Sequence, residues 1–257
     1  MEKNRIPRKV GFVFMVILFS FIGIGISYAP WTENLKISAS MRTLEDFTYV
    51  YLCGHWRFDE GSGSMAQDSS GFCNDGTVYG ASWTYGKIGN ALYFDGINDQ
   101  VVVPDSNSLD VSDQLTIMAW IKPHSVYTGG NWRYDDPILC KRYAYYFVMN
   151  ADGKLAFYGY GLLPPGWVVG ANMSGCVNTW VHVAVTYDGN YVKLYINGTL
   201  DTSVPKTGSI VINDKCVRMG YVDYNRHFHG IIDDVRIYNK ALTADEIYQK
   251  YLEGFQG

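Results

Sequence analysis

An alternation of apolar and polar residues with a period of two constrains this chain more than any other feature. It is clearest in the segment LTIMAWIKP, residues 115–123, where Leu115, Ile117, Ala119 and Ile121 fall on one face of an extended strand. The intervening side chains, which include Trp120, fall on the opposite face, so one of the two faces is expected to look outward. This segment therefore predicts a strand.

The same alternation returns further along the chain. Residues 180–198, WVHVAVTYDGNYVKLYING, hold two alternating runs joined by Asp188-Gly189-Asn190, which predicts a hairpin. Residues 217–221 and 231–238 predict two more strands.

One helix is predicted, near the end of the chain. Thr243 and Glu246 have the spacing of a capping box, and Gly254 is a suitable stop. Many strands with a single short helix favour an all-β architecture of two antiparallel sheets.

Composition agrees with a folded domain and argues against one class of partner. Hydrophobic residues make up 47% of the 257 residues and charged residues 18%, which is enough apolar material for a core. The net charge is −4, and no Lys/Arg block occurs after residue 9, so nucleic acid is not expected as a partner.

The N-terminus predicts export. Four basic residues precede the apolar run 11–26, which ends in Ser27-Tyr28-Ala29, as in a secretory signal peptide. The run is also almost long enough for a membrane anchor, and either alternative places the protein at the cell surface or in the medium. We expect a signal peptide or N-terminal membrane anchor over 1–29, a linker over 30–48 and a single domain over 49–257.

An exported protein meets an oxidising environment, in which its five cysteines could form disulfides. An odd number allows at most two internal disulfides. The pairs Cys53–Cys73 and Cys176–Cys216 are predicted, and Cys140 is expected to be a buried thiol. A zinc site is not expected, because the sequence has no C-x-x-C or zinc-type Cys/His spacing.

Six stretches together resemble one family. They are GHWRFDEGSG at 54, DSSGFCNDGT at 68, GKIGNALYFDGINDQVVVPDSNSLD at 86, LTIMAWIKP at 115, WVHVAVTYDGNYVKLYING at 180 and FHGIIDDVRIYNKALTADEI at 228. In this order they resemble the laminin-G-like, concanavalin A-like jelly-roll domains of extracellular proteins. The resemblance implies a jelly-roll sandwich of two antiparallel sheets with one short C-terminal helix. Because the family's functions range from sugar binding to protein binding, the fold does not fix the function.

The resemblance also implies a structural calcium site. The expected ligands are Asp59, Asn74, Asp75 and Asp233, since hard cations prefer carboxylate and carbonyl oxygens. Asp233 and Asp234 are expected on opposite faces of their strand, which leaves Asp233 as the ligand. The alternative is that these side chains only cap turns and accept backbone hydrogen bonds.

A sugar site would need aromatic and hydrogen-bonding side chains on the concave sheet and its rim. Ordinary sheet packing is the alternative role for each aromatic residue. The predicted carbohydrate-binding residues are Trp120, Trp132, Arg133, Tyr134, Asp135, Tyr145, Trp167 and Arg226.

Catalysis is not expected. The sequence has no E-x-D-x-x-E strand motif, which laminarinase-type hydrolases use, and it has no G-x-S-x-G, P-loop or H-E-x-x-H motif. The sequence thus predicts a non-catalytic extracellular recognition module that binds a glycan or acts in adhesion. The alternatives are a structural or protein-interaction domain of a cell-surface assembly and, third, a glycoside hydrolase with an unrecognised site.

Overall fold

A computed structural model describes residues 51–126, 136–222 and 226–256. Their strands and single α-helix follow the period-two segments and the capping box of the sequence. The elements are β1 (Leu52–Trp56), β2 (Met65–Ala66), β3 (Gly76–Tyr79), β4 (Ser82–Tyr85), β5 (Asn90–Asp95), β6 (Gln100–Val103), β7 (Leu115–Pro123), β8 (Asp136–Lys141), β9 (Tyr145–Met149), β10 (Lys154–Gly159), β11 (Val168–Asn172), β12 (Val181–Tyr187), β13 (Tyr191–Ile196), β14 (Thr199–Pro205), β15 (Val217–Met219), β16 (Tyr221–Val222), β17 (Arg226–His227), β18 (His229–Tyr238) and α1 (Ala244–Glu253).

The strands form two antiparallel sheets. The first sheet has the order β14-β13-β12-β7-β18-β5-β4, with β1 paired to the second half of β18. The second sheet has the order β11-β10-β9-β8-β15-β6-β3-β2. β16 and β17 pair with each other as a separate small ribbon. The predicted all-β sandwich is confirmed.

The core lies between the two sheets. Leu115, Ile117, Ala119 and Ile121 of β7 all belong to it and are fully buried. This face of the strand is therefore the inner face, and its burial contributes to the hydrophobic driving force for folding.

The C-terminal helix α1 covers the outer face of the first sheet. The Thr243 hydroxyl accepts a hydrogen bond from the Glu246 backbone N–H, and the Glu246 carboxylate accepts one from the Thr243 backbone N–H, so the predicted capping box is present. Ile247 of α1 packs with Met118 of β7 and Tyr195 of β13. The expectation that one face of β7 looks outward is wrong, because the helix buries the second face.

Ion pairs fix the helix to this sheet. Arg236 of β18 contacts Asp234 at 2.9 Å and Glu253 of α1 at 2.7 Å, and His55 of β1 lies 2.7 Å from Asp234. Burial alone would raise the pKa of Asp234, but Arg236 and His55 outweigh it and hold the pKa well below its usual value. Because each buried charge has a partner, removal of one would leave another unpaired.

A β-bulge in β18 corrects the expected placement of the two aspartates. The register with β7 shifts between Asp233 and Arg236, and Asp234 has a φ of 48°. Ile232 and Val235 both belong to the core, so both aspartates lie outside it. They do not alternate between faces because the bulge inserts one extra residue.

The five cysteines all lie within the described residues and form no disulfide there, so the two predicted disulfides are absent from the structure. Cys53 is buried in the core whereas Cys73 is exposed, so their side chains occupy different environments. Cys176 packs against the core and Cys216 lines a pocket on the second sheet. The expectation of a buried thiol at Cys140 is confirmed, since this residue is 2% exposed.

The predicted signal peptide or anchor over 1–29 and the linker over 30–48 lie outside the described residues. No helix within the described ranges is long and apolar enough to cross a membrane.

Candidate functional site

One row of outward side chains crosses the second sheet. Strand pairing aligns Arg218 of β15 with Cys140 of β8, Cys140 with Tyr146 of β9, and Tyr146 with Tyr158 of β10. Residues next to this row in each strand belong to the core: Val217, Leu139, Tyr145 and Phe157. The outer face of the second sheet thus carries tyrosines and an arginine around a small buried cluster, formed by Cys140, Tyr146, Val148 and Ala156 with Val222 of β16.

Five rings cluster at one end of this face, and we call them the aromatic surface: Tyr143, Tyr146, Tyr158, Tyr160 and Trp167. The Trp167 ring stacks on Tyr146 with 6.4 Å between centroids and meets Tyr158 edge-on at 5.4 Å. Tyr160 lies 4.8 Å from Tyr158, 5.7 Å from Tyr146 and 5.8 Å from Tyr143. Each separation falls in the range where aromatic pairs attract.

The outermost rings are Tyr143 and Trp167, which are 46% and 40% exposed. Tyr146 lies beneath them at 8%, and burial raises the pKa of its hydroxyl above the ordinary value, so this hydroxyl stays protonated. The surface thus combines exposed rings with hydroxyl groups that can donate or accept hydrogen bonds.

The segment that follows β14 of the first sheet holds the loop that carries Trp167 in place. Lys206 is only 5% exposed, and its ammonium donates hydrogen bonds to the carbonyls of Pro164 and Gly166. Leu163 and Thr207 exchange two backbone hydrogen bonds, of 2.8 and 2.9 Å. Because these contacts fix the loop before any ligand arrives, Trp167 loses little freedom on binding.

A positively charged pocket adjoins the aromatic surface. It is lined by Cys140, Arg142, Lys215, Cys216, Arg218 and Val222. The Arg142 guanidinium lies over the Tyr143 ring, 4.6 Å from its centroid, and so connects the two features.

Two of the predicted sugar-binding residues are buried, and their predicted role is wrong in this structure. Trp120 is 1% exposed and stacks on Tyr251 of α1 with 5.6 Å between centroids, because the helix covers it. Tyr145 is 0% exposed, since the alternation of β9 turns it inward and its neighbour Tyr146 outward.

The other predicted residues have different outcomes. Trp167 lies on the aromatic surface, whereas Arg226 is 8% exposed in β17. Four predicted residues, Trp132, Arg133, Tyr134 and Asp135, lie outside the described residues. The sequence reasoning missed the four tyrosines, although the alternation in YAYYFVMN and the spacing in FYGY could have revealed them.

The predicted calcium ligands divide between two turns. Asp59 accepts a hydrogen bond from the Asn90 backbone at 3.0 Å, and Asp233 accepts from Lys87 and Ile88 at 2.8 and 2.9 Å, so both hold the turn at 86–90. At the second turn, Asp75 accepts from the Asp68 backbone at 2.8 Å, and the Asn74 amide donates to the Cys53 carbonyl at 2.8 Å.

These contacts match the turn-capping alternative. Within the part of the chain that the structure describes, no group of three or more His, Cys, Asp or Glu side chains could hold a metal ion. Burial raises the pKa of Asp233 to about 8, and its second oxygen, Oδ1, has no hydrogen-bond partner among the described residues. Calcium stays a prediction.

A protein-family model matches more than half of the chain. The model described as the concanavalin A-like lectin/glucanases superfamily matches residues 95–248. The chain belongs to this superfamily. The match spans β6 to the middle of α1 and includes the aromatic surface.

Two curated relatives are similar to this chain. Pappalysin-1 of Homo sapiens is 27% identical over 177 residues, which is 61% of this chain and 11% of that protein. Pappalysin-1 of Mus musculus is 36% identical over 84 residues, which is 31% of this chain and 5% of that protein. The chain therefore spans a small fraction of the length of these relatives.

Solved structures are similar as well. Domain 4 of AbnA, a GH43 extracellular arabinanase from Geobacillus stearothermophilus solved with arabinotriose, is 25% identical with a TM-score of 0.63, covering 77% of this chain and 97% of that domain. The binding domain of Paraclostridial Mosquitocidal Protein 1 gives a TM-score of 0.67 at 17% identity, covering 81% and 53%. The botulinum neurotoxin serotype D binding domain gives 0.63 at 18%, covering 80% and 53%. The last two likenesses concern the fold alone.

Proposed function

We propose that this chain is a non-catalytic extracellular carbohydrate-binding module that holds its ligand on the aromatic surface. The observation that carries the proposal is the cluster of five packed rings on the outer face of the second sheet, with Tyr143 and Trp167 half-exposed. Aromatic rings that are apolar on their face and polar at their tip suit the mixed surface of a sugar.

The cluster has the properties of a recognition surface rather than of packing alone. A soluble domain seldom leaves large rings together on its surface without a ligand to cover them. The Lys206 contacts fix the loop of Trp167 in advance, which lowers the entropic cost of binding. The arabinotriose held by the similar arabinanase domain further supports a glycan ligand.

The proposed lack of catalysis is supported by the roles of the described glutamates. Glu60 accepts a backbone hydrogen bond from Gln67 at 2.7 Å, Glu246 caps α1, and Glu253 pairs with Arg236 and Lys250. A retaining glycosidase needs two carboxyl groups about 5 Å apart across the scissile bond. These three glutamates instead act in turn, cap and helix anchoring.

The test is binding to an oligosaccharide and polysaccharide panel, followed by calorimetry on the best ligand. Trp167→Ala and Tyr158→Ala are each expected to weaken binding by about tenfold or more, since truncating an aromatic side chain that anchors a ligand costs about 2 kcal/mol or more. The matched control is Tyr85→Ala, because Tyr85 is 87% exposed but lies on β4 of the first sheet. Equal effects of Trp167→Ala and Tyr85→Ala, or no glycan bound at all, would refute the proposal.

A cell-surface protein is the second candidate ligand. Apolar side chains stand exposed beside the aromatic surface, with Leu163 at 57% and Val211 at 43%, and the Val211 backbone donates to the Tyr160 carbonyl at 2.9 Å. A contiguous apolar area of this kind also suits a protein partner. A panel without any glycan hit, together with capture of one defined surface protein that Trp167→Ala abolishes, would favour this candidate.

A further inference from the structure

We infer that the charged pocket beside the aromatic surface binds an anionic substituent of the ligand, a carboxylate or a sulfate group, so that the ligand class is an acidic glycan. This inference rests on the proposed function and makes it more specific. Arg142, Lys215 and Arg218 bring three cationic side chains to one pocket on a chain with a net charge of −4. Such a local concentration of positive charge attracts anions.

The pocket has a suitable size. Its volume of about 80 Å³ holds several water molecules, and therefore also a small charged group. Cys140 and Val222 form its apolar side, and both are at most 2% exposed. A partly apolar wall strengthens the attraction between an anion and the cations, because it excludes water on that side.

Arg218 is the residue on which the inference depends most. Its Nε donates to the Cys216 sulfur at 3.3 Å, and its guanidinium carbon lies 5.2 Å from the Tyr221 ring centroid. Within residues 51–126, 136–222 and 226–256, no carboxylate forms an ion pair with it. Its remaining N–H groups have the planar fork geometry that fits a carboxylate or sulfate.

Lys215 contributes a charge that a ligand can share. Its ammonium lies 2.6 Å from Asp214, whose side chain is 80% exposed. An ion pair with such an exposed carboxylate contributes little free energy. An incoming anion can therefore compete for the ammonium without a large loss.

The spacing lets one ligand use both features. Arg218, Cys140, Tyr146 and Tyr158 stand on four adjacent strands in one row. At about 4.8 Å per strand, Tyr146 lies roughly 10 Å and Tyr158 roughly 14 Å from Arg218 across the sheet. A sugar on the exposed rings above this row, of which Tyr143 contacts Arg142 of the pocket, can thus place a charged substituent of the same short oligosaccharide in the pocket.

The test is calorimetry at two salt concentrations with three matched oligosaccharides: neutral, carboxylated and sulfated. We expect at least one acidic ligand to bind about tenfold more tightly than the neutral one, with a preference that weakens as salt rises. Arg218→Gln should remove this preference and leave the affinity for the neutral ligand within about twofold. Lys215→Gln, at a more exposed position, should reduce the preference, and it changes a surface side chain that the fold does not bury.

Arg57→Gln is the matched control, because Arg57 is exposed next to β1 of the first sheet. If Arg218→Gln and Lys215→Gln both keep the acidic preference, or if the wild type binds all three ligands equally, the inference is overturned. Neutral binding that remains sensitive to Trp167→Ala would then leave the proposed function intact. Failure of all three ligands to bind would instead count against the proposed function as well. Selective binding of the carboxylated or the sulfated ligand identifies the anion.

Discussion

Trp120 either supports the fold or contacts a ligand, and the substitution Trp120→Ala distinguishes these two roles. In the structure its ring is 1% exposed between β7 and α1. It contacts Tyr251 at 5.6 Å, Phe255 at 6.0 Å and His182 at 5.3 Å between ring centroids. The substitution removes the ring on which the helix packs and leaves a cavity beneath it.

The expected loss of stability follows from these contacts. Replacing a buried Trp by Ala costs about 3–5 kcal/mol, and the loss of the three ring contacts places this site toward the upper part of that range. For a domain of this size, 4 kcal/mol lowers Tm by roughly 8–16 °C. Trp120→Phe keeps an aromatic ring and should lose about half as much.

The assay is urea denaturation followed by far-ultraviolet circular dichroism, with glycan binding measured on the folded fraction. We expect Trp120→Ala to be destabilised and to bind with unchanged affinity. The reasoning is refuted if Trp120→Ala stays within about 1 kcal/mol of the wild type and loses glycan binding, since that result would make Trp120 a ligand contact.

Four further outcomes can be measured. Burial raises the native pKa of Asp233 to about 8, so as pH rises from 5 to 7 the unfolded state releases this proton first and the wild type loses stability. The variant Asp233→Asn should therefore gain stability relative to the wild type, by up to about 1.4 kcal/mol per pH unit. A difference that stays constant across this range would contradict the buried, protonated carboxyl. EDTA should leave Tm unchanged, because the carboxylates of Asp59 and Asp233 bind backbone N–H groups, and a fall of several degrees would instead support calcium. A thiol reductant should also leave Tm unchanged, and alkylation should label the exposed Cys73 first; a lower Tm after reduction would reveal a disulfide. Lys206→Met should weaken glycan binding less than Trp167→Ala does, because it loosens the loop but keeps the ring, and an unchanged affinity would show that the ammonium does not position Trp167.

Local pattern was sufficient to predict several elements of the fold. The strand at 115–123 and the helix cap at Thr243 both appear where the sequence predicts them, because alternation and capping depend on neighbouring residues. The bulge at Asp234 was not predictable in this way, since it depends on the register between β18 and β7.

The candidate site was less predictable because it also depends on contacts between residues far apart in the sequence. Whether Trp120 is exposed depends on α1, which follows it by more than 120 residues in the sequence and packs on it in space. The row formed by Arg218, Cys140, Tyr146 and Tyr158 requires β15, β8, β9 and β10 to pair in that order. Hydrophobic period identifies a strand and its two faces, but it does not say which strands become neighbours.

The helix on the first sheet also makes the two faces of the domain different. β1 pairs within the first sheet, and α1 lies on the outer side of that sheet, so both ends of the described fold belong to the layer opposite the aromatic surface. The first and last elements of the described fold thus leave the aromatic surface clear. A ligand can reach the rings without meeting β1 or α1.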